Sequence, residues 1–207
     1  MIYLFILFCL SQSIESINQK FEPQCVIHNN LYPQEYLFTT KEHYTTNEKL
    51  RQSFIKRNVC IYPLYKIINF NRITWTFIPV KNKNHTFLIK NNKFNDYLCA
   101  FNKTRDLNGI KPILNKLNQN GIETHRKCIW KLEKVDSNKR LYYIWNFEYN
   151  QPIYSSSVFI KKNSFKRGVY LWPKTVKSSK NLPEKFIWII DCINGQFLWS
   201  KKVNNLF

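Results

Sequence analysis

Ten basic side chains fall between residue 161 and the C-terminus: Lys161, Lys162, Lys166, Arg167, Lys174, Lys177, Lys180, Lys185, Lys201 and Lys202. Only Glu184 and Asp191 oppose them, a net +8 in 47 residues. Cations at this density do one kind of chemistry well. They pair with the phosphate, sulfate or carboxylate groups of a polyanion and release its counterions, so affinity falls steeply with salt. Lys161, Lys162, Lys166, Arg167, Lys174, Lys177 and Lys180 are the candidate ligand-binding residues. Arg167 precedes Val169-Tyr170-Leu171-Trp172 by two residues and has aromatics near enough for cation–π contact. The bland alternative is a solvated face that keeps the protein soluble. The whole chain carries 32 Lys plus Arg against 13 Asp plus Glu, a formal +19, beyond the roughly 2 to 8 that solubility of a small domain needs. The excess favours a docking surface for sulfated glycans, phospholipid headgroups or extracellular nucleic acid.

Other chemistry has little to build on. His28, His43, His85 and His125 are scattered singly, and no Cys-x-x-Cys pair accompanies them, so neither a zinc site nor any other metal or cofactor is expected. Gly-x-Ser-x-Gly, His-Glu-x-x-His and P-loop spacings are absent, and paired carboxylates do not occur in a catalytic frame. With 4 Gly beside 25 Asn, glycine-rich phosphate loops are excluded and Asn is expected to fill the positive-φ turn positions. The expectation is a protein that is not an enzyme.

The N-terminus indicates where that protein works. Residues 1–10 form an uncharged apolar run, followed by Ser-Gln-Ser-Ile-Glu-Ser, the pattern of a signal peptide cleaved near residue 16. The remainder, 17–207, is expected to be one secreted domain. Its formal charge is 32 − 12 = +20, because residues 1–16 remove only Glu15. Cys25, Cys60, Cys99, Cys128 and Cys192 then remain, an odd number, in an oxidising compartment. At least one must stay outside intramolecular disulfides. Two sequons, Asn84-His85-Thr86 and Asn102-Lys103-Thr104, make Asn84 and Asn102 candidate glycan acceptors on exposed loops.

The elements that must position these groups repeat. Trp75, Trp130 and Trp188 sit in matching frames, Arg72-Ile73-Thr74-Trp75-Thr76-Phe77, Lys127-Cys128-Ile129-Trp130-Lys131-Leu132 and Lys185-Phe186-Ile187-Trp188-Ile189-Ile190, 55 and 58 residues apart. Ile89-Lys90-Asn91 and Ile144-Trp145-Asn146 follow the first two tryptophans at one common spacing, and Ile27-His28-Asn29 matches them. Each Ile-x-Asn has an aromatic five residues past its Ile, at Tyr32, Phe94 and Tyr149, and then an apolar pair. The short apolar runs alternate with polar residues and are rich in Ile, Val, Tyr, Phe and Trp, which reads as β-strand. Four strands per copy are expected: 25–29, 35–39, 58–62 and 72–79; then 86–90, 96–101, 111–114 and 127–132; then 141–146, 152–159, 168–172 and 186–190. Three such units, about 24–79, 80–135 and 136–200, would close around a pseudo-threefold axis and remove their sheet edges. The repeated tryptophans are then core residues and the repeated asparagines cap turns. Long connections at 40–56, 102–123 and 173–185, and a basic turn at 160–167, are left to carry function. Segment 102–123 holds Ile113, Leu114 and Leu117 and could contain a helical turn. Whether the Cys25 segment or Gln196-Phe197-Leu198-Trp199-Ser200 completes the barrel stays open.

Over about residues 24–200 the chain resembles an all-β β-trefoil, and its Trp and Ile-x-Asn frames are similar to insect secreted trefoils, including the cysteine- and tryptophan-rich salivary proteins of mosquitoes. The resemblance implies an extracellular binding module with sugars or glycosaminoglycans as ligands. The Gln-x-Trp motif of ricin-type trefoils is missing, since Gln196-Phe197-Leu198-Trp199 has one residue too many. Three partner classes follow: anionic glycans or other extracellular polyanions, a target protein met by an exposed loop, or sugars held in shallow pockets near Asn29, Asn91 and Asn146. Pairing within a copy would join Cys25 to Cys60 and Cys99 to Cys128, leaving Cys192, among the many connectivities that five cysteines allow.

Overall fold

Short stretches of Ile, Val and aromatic residues bounded by Asn, Pro and Lys have too few consecutive positions for a stable helix and suit a half-buried pleat. In the computed structural model they form strands almost throughout. Residues 24–43, 57–106, 109–115, 125–137, 139–160, 164–172 and 182–192 are described. They contain twelve strands: β1 (Gln24–Asn29), β2 (Glu35–His43), β3 (Arg57–Pro63), β4 (Thr74–Pro79), β5 (Thr86–Asn91), β6 (Tyr97–Asp106), β7 (Gly109–Asn115), β8 (Ile129–Lys134), β9 (Leu141–Asn146), β10 (Gln151–Phe159), β11 (Arg167–Leu171) and β12 (Ile187–Cys192). The only helical pieces among the described residues are four single 3-10 turns.

All pairings are antiparallel, and each kind occurs three times. Long hairpins join β2 to β3, β6 to β7 and β10 to β11. Ladders join β4 to β5, β8 to β9 and β12 to β1. The strands β1, β5 and β9 also pair with β4, β8 and β12 of their own copies. Finally β3, β7 and β11 pair with one another. Every one of the twelve strands therefore has at least two partners, which relieves most of the edge hydrogen-bonding demand.

The three copies converge on one core. Trp75, Trp130 and Trp188 are fully buried, and their indole Nε1–H groups donate to the carbonyls of Leu37, Leu98 and Ile153 at 3.0, 2.8 and 3.1 Å. A buried indole N–H needs such a partner, and the same hairpin position supplies it each time. Tyr32, Phe94 and Tyr149 pack against this cluster. A 3-10 turn precedes each Trp strand, at Phe70–Arg72, Arg126–Cys128 and Glu184–Phe186.

Asparagine does the work of the scarce glycine. Of the four non-glycine residues with positive φ among those described, three are Asn82, Asn95 and Asn150, and the fourth is His85. Asn29, Asn91 and Asn146 are wholly buried. Their side-chain oxygens accept the backbone N–H groups of Leu31, Lys93, and Glu148 with Tyr149. Their amides donate to carbonyls that include those of Lys185, Arg72 and Lys127.

Several expectations change here. Cys25 does not pair with Cys60. The β1–β12 ladder sets Cys25 directly opposite Cys192, and those two are bonded. Cys60 instead lies opposite Phe38 and Gly168 on β3, buried in a small cluster with Phe38, Ile67 and Ile73. Pairing within a copy fails for Cys25 because β1 is stitched to β12 along five positions and meets β2 at only one. Cys99 and Cys128 are bonded. The Cys25 segment also settles one closure of the barrel, while 196–200 lies outside the described residues. The 102–123 connection is shorter than expected, because β6 and β7 extend as a hairpin through Asp106 and Gly109. Ile113 and Leu114 are buried residues of β7, in keeping with the expected strand 111–114 and not with a helical turn, and Leu117 lies outside the described residues. Asn102 accordingly lies within β6 and not on a loop. The proposed signal segment, residues 1–16, is outside the described residues.

Candidate functional site: a cationic and aromatic surface

Pro63 ends β3 because it offers no N–H to the ladder. The chain then makes a 3-10 turn at Leu64–Lys66 and runs to the second turn at Phe70–Arg72. Leu64 N–H donates to the Gln34 carbonyl at 3.0 Å, which fixes this segment against the start of β2. Ile67 points inward to Phe38 and Ile73. Its neighbours Tyr65 and Ile68 are left outside, 70% and 99% exposed.

The β10–β11 hairpin meets this segment at Phe165. Lys66 Nζ lies 5.1 Å from the ring centre of Phe165 and 5.4 Å from that of Tyr65, a cation held between two exposed aromatics. Across the hairpin the Ile160 N–H donates to the Lys166 carbonyl at 2.7 Å, and the Lys166 N–H donates to Ser164 Oγ at 3.0 Å. Val158 and Ile160 flank the tip and are exposed. Cationic and apolar groups thus share one surface although Lys66 and Phe165 are far apart in sequence.

Arg167 has a different task from the one its sequence position suggests. Its Nε–H points at both carboxylate oxygens of Glu35, each at 3.0 Å, and a terminal nitrogen donates to the Ser157 carbonyl at 2.6 Å. The guanidinium lies 4.1 Å from the Phe159 ring centre and 4.3 Å from that of Tyr32. With both side chains about 15% exposed, this is a half-buried pair that holds the hairpin on β2, not an open cation. Burial pushes the Glu35 carboxyl above its ordinary range, while the Arg167 hydrogen bond and charge pull it back. Breaking such a pair from one side leaves a half-buried charge without its partner.

Of the seven candidate ligand residues, the described structure brings Lys166 and Arg167 to this surface. Lys161, Lys162, Lys174, Lys177 and Lys180 lie outside the described residues. Lys161 and Lys162 belong to the three-residue link between Ile160 and Ser164. Lys185 is directed elsewhere, with Nζ 4.8 Å from the Trp172 ring centre and 5.2 Å from that of Tyr154. Asn84 is exposed in the β4–β5 turn, where a glycan can reach it. Sequence reading missed Lys66, Tyr65 and Ile68. Their only signal was a run of apolar residues, Leu64-Tyr65-Lys66-Ile67-Ile68-Asn69-Phe70, too long for a turn and without strand alternation.

A second polar cluster also escaped the sequence. His28 Nε2 lies 3.2 Å from Asp191 Oδ2, and Arg140 donates to Asp191 Oδ1 at 3.1 Å. His28 stacks on Tyr36 with ring centres 5.1 Å apart. The β1–β12 and β9–β12 ladders carry these groups beside the Cys25–Cys192 bond. His28 Nδ1 has no hydrogen-bond partner among the described residues. The arrangement is a charge-assisted clamp on the closing strands.

Neither a protein-family model nor a curated protein matches the sequence. Solved structures do match the fold. A salivary protein from Culex quiquefasciatus of the Cysteine and Tryptophan-Rich (CWRC) family is similar with a TM-score of 0.52 and 16% identity, over 82% of this chain and 93% of that one. The SDF2-like protein from Arabidopsis thaliana is similar with a TM-score of 0.61 and 11% identity, over 82% and 92% of the two chains. ThreeFoil, a designed 3-fold symmetric protein, gives 0.54 and 10% over 82% and 99%. At these identities the likeness concerns the fold: an all-β architecture shared among proteins of different kinds. No helix among the described residues is long and apolar enough to cross a membrane.

Proposed function

We propose that this chain is a secreted, non-enzymatic binding protein whose three units form a β-trefoil, and that it docks on anionic glycans of the glycosaminoglycan class through the surface around the β10–β11 hairpin. The observation that carries the reading is the meeting of Lys66 with Phe165 near Lys166, on a hairpin anchored by the half-buried Arg167–Glu35 pair. Anchoring matters because cations already in place lose less conformational entropy when an extended polyanion binds. Lys161 and Lys162 complete the sequence of this hairpin, and Lys174, Lys177 and Lys180 extend the basic segment. The threefold recurrence of pairings, indole hydrogen bonds and buried asparagines supports the trefoil reading. The signal-like N-terminus and the two disulfides support secretion.

A sugar pocket floored by Asn29, Asn91 and Asn146 is not favoured, because those side chains are buried and their hydrogen bonds serve turns. The effector or inhibitor reading keeps the 173–185 loop as its contact. The test is elution from immobilised heparin against a plain cation exchanger of matched charge density. Later elution from heparin, lost in a variant carrying Lys66→Ala, Lys161→Ala, Lys162→Ala and Lys166→Ala, is the expected result. Co-elution from both resins would reduce the charge to a general surface property and move the search to a protein target. Arg167 stays intact in the variant, since its loss would loosen the hairpin for structural reasons.

A further inference from the structure

Anionic glycans explain the lysines of this surface but not its hydrocarbon. Ile68 is 99% exposed and Val158 69% exposed, and Tyr65, Ile160 and Phe165 are exposed with them. Single exposed apolar residues are ordinary, but several on two segments that touch, here the 64–70 turn and the β10–β11 hairpin, mark a docking surface. The two segments adjoin because Lys66 reaches Phe165, and because β11 pairs with β3, setting Arg167 opposite Ile61 just before the Pro63 turn.

We infer that this surface docks on an anionic phospholipid bilayer, with the 64–70 segment and the exposed Ile160 and Phe165 of the β10–β11 hairpin entering the headgroup region and the cations of the surface meeting lipid phosphates and carboxylates. The inference goes beyond the glycan reading and shares with it only the lysines. Charge complementarity selects the occupant: the formal +19 of the chain and the lysines at the patch suit a negative surface. Exposed Ile and Val side chains gain free energy only where that surface also offers hydrocarbon. Amphipathic interfacial binding needs both, an apolar element at the headgroup and acyl boundary and cations at the level of the lipid charges. Lysine suits this placement because its stem lies along apolar surface while the ammonium stays at the wet level. Tyr65 is likewise an interfacial side chain, apolar in its body and polar at its tip.

The experiment is co-sedimentation of the whole secreted protein with vesicles of phosphatidylcholine alone and of phosphatidylcholine mixed with phosphatidylserine. The same preparations are run on heparin. Binding to the mixed vesicles only is expected. The double variant Ile68→Ser, Val158→Ser should lose vesicle affinity by about tenfold per residue, from the transfer free energy of a partly buried aliphatic side chain, with heparin elution unmoved. Lys66→Ala should cost about fivefold on vesicles, the weight of one lysine near an anionic surface, and also shift heparin elution. Vesicle binding untouched by the apolar variant would overturn the inference, leaving headgroup electrostatics alone. Equal binding to phosphatidylcholine would overturn its requirement for anionic lipid. Absence of vesicle binding, with heparin binding intact, would overturn it and leave the patch to a protein partner. Both readouts failing together would refute the glycan reading as well. Because Ile68 and Val158 face solvent, thermal denaturation should confirm that the variants are folded.

Discussion

Removing the Cys25–Cys192 bond should cost more stability than removing Cys99–Cys128, and the structure sets the sizes. The first closes a sequence separation of 167 residues and the second one of 29. Loop-closure entropy, ΔS ≈ −2.1 − 1.5R ln n, then gives about 5 kcal/mol for the long loop and about 3.6 kcal/mol for the short one at 25 °C. These are upper values, because a compact denatured chain already holds part of that entropy. A domain of this length converts each kcal/mol into roughly 2 to 4 °C of Tm. The double variant Cys25→Ser, Cys192→Ser should therefore melt about 10 to 20 °C below the parent, and Cys99→Ser, Cys128→Ser about 7 to 14 °C below. The assay is thermal denaturation monitored by tryptophan fluorescence, since Trp75, Trp130 and Trp188 are fully buried, beside a non-reducing peptide map of the parent. A map joining Cys25 to Cys60 would refute the closure of β1 on β12. A larger loss for the short loop would refute the entropic argument while leaving the connectivity standing.

Asn146→Ala should cost about 1 to 3 kcal/mol, because it removes a fully buried amide that serves the Lys127 carbonyl and the Glu148 and Tyr149 N–H groups of a half-exposed turn. Asn84→Ala, in the exposed β4–β5 turn, should stay within about 0.5 kcal/mol in unglycosylated protein. Equal losses by urea denaturation would undo the distinction between core and surface asparagines. For Glu35 the folded carboxyl titrates above its usual 4.5, through burial, with Arg167 drawing it down. Folding then takes up a proton in the window just above pH 4.5. This contribution is fully present below that pH and is lost as pH rises through the folded value. Glu35→Gln should flatten the pH dependence of stability across that window, and an unchanged slope would place the titration elsewhere.

The repeat was legible because packing repeats. A buried indole needs a void of fixed shape and a carbonyl at fixed distance, so the three Trp frames kept residue type and spacing together, and the strand boundaries followed them closely. The asparagines were legible for the same reason, since an Asx turn ties the side chain to a backbone N–H two or three residues on. Disulfide connectivity was legible only in part, since Cys99 pairs with Cys128 as expected and Cys25 does not pair with Cys60. It depends on which strands end up adjacent at closure, and Cys25 and Cys192 carry no local mark of meeting. The helical turn expected near Ile113 gave way because hairpin pairing with β6 satisfied the same residues as strand.

Charge is the property that sequence reports most readily and places least well. Arg167 and Lys66 both reach this surface, yet one is sequestered by Glu35 and two aromatics while the other is exposed, and Lys166 beside them is half-buried. Glu35 is 132 residues away in the chain, so no window of sequence could have told them apart. The same long-range pairing brought Lys66 into the surface from outside the basic segment altogether. A cation count therefore sets the sign of the partner, whereas the strand ladder decides which cations reach it. That division predicts how the charges behave: substituting the exposed lysines should alter binding and its salt dependence, and substituting Arg167 should alter stability first.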